Sequence, residues 1–178
     1  MITRRSSLAD VAVAVGHALR SSGIRAVLTG GACAELYAPG APASFDVDFI
    51  LGATVRTEDL NRALEALGFV RRGDRYTHTK TPFHVEFPAG PLAIGQDTQI
   101  TPTIRTRRGA RTLALSATDA CRDRLAAFYF WSDRQSLAAA VAIARETRVS
   151  LAKIRAWSDA EGHRKGYETF LRERRRAS

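Results

Sequence analysis

The fold is decided by two short segments, Leu-Thr-Gly-Gly at residues 28–31 and Ser-Phe-Asp-Val-Asp-Phe-Ile at residues 44–50. The alternation of apolar and polar residues over 45–51 predicts a strand, on which Asp46 and Asp48 leave the same face. The opposite face of this strand, which we expect to enter the core, carries Phe45, Val47 and Phe49. Two neighbouring carboxylates repel each other, and a hard divalent cation such as Mg²⁺ removes that conflict.

A pair of acids separated by one residue is a weak signal by itself, and the chain contains two such pairs, Asp46/Asp48 and Asp159/Glu161. The second pair lies in a stretch of helical periodicity, where residues two apart point to different sides, so we interpret it as a solvated surface pair. The first pair follows a Gly-Gly turn. Such a turn lets backbone N–H groups approach triphosphate oxygens, and the short helix after it adds its positive end.

A third acid lies in the segment Phe-His-Val-Glu-Phe at residues 83–87. Its alternation predicts a strand with His84 and Glu86 on one face. If this strand pairs beside residues 45–51, Glu86 completes a cluster of three carboxylates. Two metal ions about 3.5–4 Å apart on such a cluster clamp the attacking and leaving oxygens of an in-line phosphoryl displacement. A lone histidine is more often structural, and we interpret His84 in that way.

The remaining sequence predicts an α+β protein, in which a mixed sheet with flanking helices is followed by a C-terminal helical bundle. The predicted helices cover residues 7–22, 32–37, 57–67, 118–131, 134–147, 150–161 and 163–175. The predicted strands cover residues 25–29 and 45–51, with three or four more between residues 68 and 115. The predicted helix N-caps include Ser6 or Ser7, Thr57, Thr118, Asp133 and Ser150. We divide the chain into an α/β core, residues 1–115, and a helical region packed on it, residues 116–178.

The composition is that of a globular protein. The chain has 178 residues and 19.4 kDa, of which 45% are hydrophobic and 25% charged, which excludes disordered, collagen-like and coiled-coil classes. It has no apolar run of the length that a membrane span needs, and we read no signal peptide at its start. Cys33 and Cys121 stand far apart outside any CxxC spacing, so we expect a reducing, cytoplasmic environment and neither a disulfide frame nor a zinc site.

The charge is strongly positive. Lys and Arg number 27 against 18 Asp and Glu, a net charge of +9, of which +6 falls on residues 111–178. Four arginines crowd the end of the chain: Arg172, Arg174, Arg175 and Arg176. Such a field concentrates anions such as nucleotides or RNA. The alternative is an arginine-rich surface without a specific partner.

The order of these motifs resembles the nucleotidyltransferase superfamily, the DNA polymerase beta-like fold. Its signature is a Gly-Gly or Gly-Ser turn, then Asp-x-Asp, then a third carboxylate on a later strand. Among its branches the chain is similar to small bacterial proteins related to the AbiEii-type and toxin–antitoxin-associated nucleotidyltransferases. Residues 27–51 carry most of the resemblance. A second match joins residues 115–119 with 122–127, which are like the helix that follows the catalytic sheet in the family.

The resemblance implies roles for individual residues. Asp46, Asp48 and Glu86 would bind Mg²⁺ or Mn²⁺, and Glu86 would also act as the base. The nucleotide-binding residues that it implies are Thr29, Gly30, Gly31, Ser44 and Arg122. The chain departs from this branch at Pro42, where members often have an arginine, and at Glu86, where aspartate is more frequent.

The sequence therefore predicts a metal-dependent nucleotidyltransferase, a transferase that moves a nucleoside monophosphate from an NTP to an acceptor hydroxyl. The acceptor is an RNA such as a tRNA 3′ end, a protein side chain or a small molecule, and the basic C-terminal third favours RNA. The family branch suggests membership of a toxin–antitoxin or phage-defence system. The alternative is an inactive nucleotidyltransferase-like protein that binds a partner protein. A plain RNA-binding module is disfavoured because the chain has no RRM, KH or zinc-knuckle signature.

Overall fold

The computed structural model describes residues 2–42 and 45–176, and within them the chain forms a mixed seven-stranded sheet with flanking helices. The strands are β1 (Ala26–Leu28), β2 (Asp46–Leu51), β3 (Val70–Arg72), β4 (Arg75–His78), β5 (Thr81–Glu86), β6 (Thr103–Arg107) and β7 (Ala110–Ala114). The helices are α1 (Leu8–Ser21), α2 (Gly30–Glu35), α3 (Thr57–Glu65), α4 (Ala117–Trp131), α5 (Arg134–Glu146), α6 (Leu151–Ala160) and α7 (Arg164–Arg176). The α+β class predicted from the sequence is confirmed.

The strand order is β3-β4-β5-β2-β1-β7-β6. Strand β2 lies at the centre, antiparallel to β1 and parallel to β5, and β1 is parallel to β7. Hairpins β3-β4 and β6-β7 form the two edges. The sequence predicted three or four strands after residue 68, whereas the described residues contain five. The β6–β7 hairpin turns at Arg108 and Gly109, both of which have positive φ.

Helix α1 packs against β1 and β7 and needs a glycine at its closest approach to the sheet. A Cβ on Gly16 would lie only 1.8 Å from Thr112 Oγ1 and 3.2 Å from the Phe49 ring. The start of α1 is fixed by a capping box, in which Asp10 N donates to Ser7 Oγ and Ser7 N donates to the Asp10 carboxylate. Ser7, of the two caps considered from the sequence, is the N-cap.

Two other predicted caps are wrong, while Asp133 and Ser150 are confirmed. Thr57 is the first residue of α3, whose N-cap is Arg56 and makes no side-chain cap bond. The N-cap of α4 is Ser116, not Thr118, because its hydroxyl accepts from the backbone N–H of Asp119 at 3.1 Å. The pattern of a serine three residues before an acid marks this cap in the sequence.

The four C-terminal helices pack together and onto the α/β part of the chain. Helix α4 lies against α5 and α2, and α6 lies against α7. The buried residues of α6 and α7 include Ile154, Trp157, Tyr167 and Phe170. These side chains belong to the same continuous buried cluster as the residues of the sheet. The division at residue 115 stays a prediction. Within the described residues, no helix combines the length and apolar character needed to cross a membrane.

The loop between β5 and β6 is fastened to α6. Trp157 Nε1 donates to the Ile94 carbonyl at 3.1 Å, and Gln96 N donates to Glu161 Oε1 at 2.7 Å. The interpretation of Asp159 and Glu161 as a solvated pair is therefore wrong for Glu161, whose carboxylate anchors this loop. Asp159 is exposed and lies 3.8 Å from the Arg155 guanidinium.

Candidate active site

The parallel pairing of β2 with β5 gathers four polar side chains on one face of the sheet. Asp46 lies opposite His84, and Asp48 lies opposite Glu86. Residues directly opposite in a parallel pair project to the same side, and residues two apart on a strand do so as well. The pairing of the Glu86 strand beside residues 45–51, on which the sequence prediction depended, is confirmed.

The reverse face of these strands is apolar. Val47, Phe49 and Val85 are fully buried there, as the alternation predicted. Phe45 was expected to join them, and that expectation is wrong. It precedes β2, is 60% exposed, and its ring centroid lies 6.1 Å from that of Phe83. Its backbone carbonyl still accepts from His84 N at 3.1 Å, so Phe45 is exposed at the end of the β2–β5 pairing.

Asp46, His84 and Glu86 lie close enough to hold one metal ion. One ligand atom from each lies within 4.8 Å of the other two. His84 Nε2 is 2.5 Å from Asp46 Oδ1 and 4.0 Å from Glu86 Oε1. His84, to which the sequence analysis gave a structural role, therefore contacts a predicted metal ligand. Its position two residues before Glu86 already placed it on the face of that acid, but only the register of β5 against β2 brings it to Asp46.

Asp48 lies deeper than the other acids of this face. Burial raises its pKa to about 6, and the negative charges of Asp46 and Glu86 add to this rise, against the opposing charge of Arg124. Its backbone carbonyl accepts from Thr29 N at 3.0 Å, which joins the carboxylate strand to the Gly-Gly turn. The Asp48 carboxylate therefore lies between the turn, where a Cβ on Gly30 would be 2.6 Å from its Oδ2, and the acids Asp46 and Glu86, whose charges it senses.

The Gly-Gly turn is the start of α2, which begins two residues earlier than predicted. Thr29 is its N-cap, and Gly30 adopts a positive φ of 68°. A Cβ on Gly30 would lie 2.6 Å from Asp48 Oδ2, so glycine is needed both for the backbone conformation and for the room. Gly30 N donates to Asp123 Oδ2 at 3.2 Å. Ser44, predicted to bind nucleotide, lies outside the described residues.

Arg122 on α4 has different partners from the adjacent Asp123 and Arg124, which pair with each other. Arg122 is 7% exposed and donates to Asp119 and Asp97, and its guanidinium lies 5.1 Å from the centre of the Trp157 ring. These contacts direct it towards the loop between β5 and β6. Its role in nucleotide binding stays a prediction. Together with Asp97, Lys153 and Trp157 it lines a cavity of about 590 Å³, which none of the four polar residues of the sheet face lines.

Arg124 is the basic residue of α4 whose charge reaches the carboxylate face, the sheet face shared by Asp46, Asp48, His84 and Glu86. Its Nη2 and Nε donate to Asp123 Oδ2 at 2.7 and 3.0 Å, and Nη1 donates to Ser136 Oγ at 3.2 Å. Its positive charge also lowers the pKa of Asp48, against the effect of burial. Asp123 thus joins Gly30 to Arg124 through a single carboxylate oxygen. Arg124 is not among the residues predicted from the sequence, because a helix prediction does not say which side faces the sheet.

Of the three comparisons with known proteins, the one with solved structures finds a similar fold. No protein-family model matches the chain, and no curated protein does. Among solved structures, the chain is similar to an antigenic nucleotidyltransferase-like protein from Paracoccidioides brasiliensis, with a TM-score of 0.56 and 19% identity over 78% of this chain and 76% of that one. The chain has a nucleotidyltransferase-like fold. At this identity the likeness extends to the fold alone, and the similarity to the AbiEii-type branch stays a prediction.

The contact between Gly30 and Asp48 can be tested with a matched pair of glycines. Gly73 has a φ of 67°, close to that of Gly30, but nothing lies within 4 Å of a Cβ placed on it. We expect Gly73→Ala to cost about 1–2 kcal/mol of unfolding free energy for the left-handed backbone alone. Gly30→Ala should cost about 1–3 kcal/mol more, because the Asp48 carboxylate must move. Urea unfolding of both variants measures the difference, and equal losses would contradict the contact.

The raised pKa of Asp48 predicts a pH-dependent stability. Between about pH 4, the pKa of an unfolded aspartate, and the folded value of about 6, the folded protein binds more protons than the unfolded chain. The contribution of Asp48 to the unfolding free energy therefore falls as pH rises through this window. We expect Asp48→Asn to match the parent near pH 4 and to exceed it by about 1–3 kcal/mol above pH 6. Urea unfolding in the presence of a chelator checks this, and a difference independent of pH would contradict it.

Proposed function

We propose that the chain is a metal-dependent nucleotidyltransferase, which transfers a nucleoside monophosphate from an NTP to an acceptor hydroxyl. The observation that carries the proposal is the sheet face shared by Asp46, Asp48, His84 and Glu86, joined to the Gly30 turn within a nucleotidyltransferase-like fold. Carboxylates crowded beside a glycine turn suit a phosphoryl-transfer reaction, since catalysis there consists of positioning and charge neutralisation.

The donor set on this face fits a divalent cation. Asp46 and Glu86 offer carboxylate oxygens. Burial raises the pKa of Asp48, and the charges of Asp46 and Glu86 add a repulsion that a cation would relieve. Asp46, Asp48 and Glu86 would hold Mg²⁺ or Mn²⁺. A bound cation supplies neutralisation of the phosphate oxygens and of the charge that develops during transfer.

Residues of the chain would accept the proton, position the triphosphate and balance charge during the transfer. The acceptor oxygen attacks the α-phosphorus of the NTP, the bond from that phosphorus to the bridging oxygen breaks, and pyrophosphate leaves. Glu86 would take the proton of the acceptor hydroxyl. Gly30 and Gly31 would allow the backbone to approach the triphosphate, and Arg124 would balance the charge of Asp48.

An RNA is the acceptor that the charge distribution favours, over a protein side chain or a small molecule. Arg172, Arg175 and Arg176 are exposed on α7, whereas Arg174 is partly buried and donates through Nε to the Ala144 carbonyl at 3.2 Å. Three of the four terminal arginines are thus available to phosphates. The resemblance to the AbiEii-type branch would place such an activity in a toxin–antitoxin or phage-defence pair.

A second candidate is an inactive, partner-binding protein of the same fold. The observation in its favour is the bond from Gly30 N to Asp123 Oδ2, which engages an amide that the triphosphate would need. The two candidates differ in whether the protein binds NTP with a divalent cation.

The first test of the enzyme proposal is the melting temperature with Mg²⁺ and each NTP. A ligand that binds only the folded state at a hundred times its Kd stabilises it by about 2.7 kcal/mol, so we expect a clear rise with at least one NTP. Incubation of the protein with labelled NTP, Mg²⁺ and total RNA and protein extracts should label an acceptor. Asp48→Asn should abolish the labelling and the melting shift, while the folded apo-protein stays at least as stable as the parent.

Asp159→Asn is the matched control for Asp48→Asn, because it makes the same chemical change on an exposed helical site. It should leave labelling, melting shift and apo stability unchanged. A protein that shows neither a shift nor labelling with any of the four NTPs would support the inactive partner-binding candidate instead.

The RNA acceptor is tested by removing the exposed arginines of α7. Each phosphate that the protein no longer neutralises reduces the slope of log affinity against log salt by about 0.7 for single-stranded RNA. The triple variant Arg172→Ala, Arg175→Ala and Arg176→Ala should therefore bind RNA more weakly and with a flatter salt dependence, while NTP binding persists. Removing the exposed Arg20, Arg71 and Arg72 instead is the charge-matched control. The same salt slope in parent and α7 variant would refute the assignment.

A further inference from the structure

One ring nitrogen on the carboxylate face has two neighbours that a single protonation state cannot satisfy. His84 Nε2 lies 2.5 Å from Asp46 Oδ1 and 3.2 Å from Arg75 Nη1. An ionised carboxylate only accepts hydrogen bonds and a guanidinium only donates them, whereas Nε2 carries either one proton or one lone pair in the ring plane. With the proton, Nε2 opposes the arginine; with the lone pair, it opposes the carboxylate.

A metal cation in place of the Arg75 guanidinium resolves this conflict, because both the Nε2 lone pair and the Asp46 oxygen are ligands. We propose that Asp46, His84 and Glu86 form a mixed nitrogen–oxygen site for a divalent transition-metal ion, with His84 Nε2 as the nitrogen ligand. The inference deepens the proposed function and rests on it in so far as that function places a metal on this face. What is new is the imidazole ligand and the metal preference that follows from it.

The spacing of the three groups suits one ion. Their ligand atoms lie within 4.8 Å of one another. Ligands at bond lengths of about 2.1 Å stand about 3 Å apart when adjacent and about 4.2 Å apart when opposite, so the side chains need only small adjustments. The His84 side chain is 19% exposed, and those of Asp46 and Glu86 are each 35% exposed. The three residues therefore bind from the sheet side, and the solvent side is open to water or substrate oxygens.

The imidazole sets the metal preference. Mg²⁺ demands oxygen ligands and gives up its waters reluctantly, whereas imidazole suits later first-row metals. Affinity for a given nitrogen–oxygen site rises from Mn²⁺ through Co²⁺ to Ni²⁺. His84 should therefore raise the affinity for Co²⁺ and Ni²⁺ strongly and for Mg²⁺ hardly at all.

Arg75 is the charge that opposes metal binding at this site. It is exposed on β4, directly opposite Glu86 in the β4–β5 pairing, so its guanidinium can move into solvent when a cation binds. Its positive charge nevertheless lowers the affinity for every cation. Removing it should strengthen metal binding, the opposite of what a residue needed to build the site would show.

The experiment uses the metal-free full chain and single metals, without nucleotide. Co²⁺, Ni²⁺ and Mg²⁺ affinities are measured by calorimetry, and pulsed electron paramagnetic resonance of the Mn²⁺-loaded protein detects a coordinated ¹⁴N. We expect one ¹⁴N coupling in the parent. His84→Gln keeps a side chain able to donate to Asp46, and should lose the coupling and weaken Co²⁺ binding at least tenfold, with Mg²⁺ changed less than twofold. Arg75→Gln should tighten Co²⁺ binding several-fold.

His17→Gln is the control, because His17 is exposed on α1 and outside the group. It should keep the coupling and both affinities. Absence of ¹⁴N coupling in the parent, or equal weakening of Co²⁺ and Mg²⁺ by His84→Gln, would show that His84 only holds Asp46 and would overturn the inference. The two proposals fail separately. Nitrogen-coordinated metal without any NTP binding would refute only the enzyme, and Mg²⁺-dependent labelling without nitrogen coupling would refute only the imidazole ligand.

Discussion

The parallel pairing of β2 with β5 is the constraint on which the candidate site depends. Its register places Asp46 beside His84 and Asp48 beside Glu86. A slip of one residue in either strand would turn its polar side chains into the core and expose its apolar ones. The buried Val47, Phe49 and Val85 therefore hold the site in register from the reverse face, although none of them carries the chemistry.

How much of the site could be predicted from the sequence depends on whether its residues lie on strands or on helices. A strand repeats every two residues, so alternation alone assigned Asp46, Asp48 and Glu86 to polar faces, and the pairing of their strands confirmed it. A helix repeats every 3.6 residues, and nothing in the sequence of α4 showed which side faces the Gly-Gly turn. Hence the sequence did not identify Arg124 as the residue whose charge reaches Asp48. Phe45 was expected to be buried because alternation does not show how far along a strand the core extends.

The contact between His84 and Asp46 was beyond the sequence for a different reason. It depends on which residue of β5 lies opposite which residue of β2, and register is fixed by packing across the whole sheet. The interpretation of His84 as structural rested on how lone histidines usually behave and took no account of its neighbours in the sheet. On the sheet it is one of four polar side chains on a single face, where its properties are set by its neighbours Asp46 and Arg75.

The carboxylate face also shows how the helical region takes part in the site. Asp123 accepts from Gly30 N and from Arg124 through the same oxygen, so one side chain of α4 fixes the glycine turn and orients the counter-charge of Asp48. Arg124 is held on its other side by Ser136 of α5. Asp48 is buried at the cost of a raised pKa, and the positive charge that opposes this rise comes from α4, a helix far along the chain. The electrostatics of the site are therefore a joint property of the sheet and the C-terminal helices: the strands supply the acids, and the packing of α4 against α5 determines how much negative charge that face can carry.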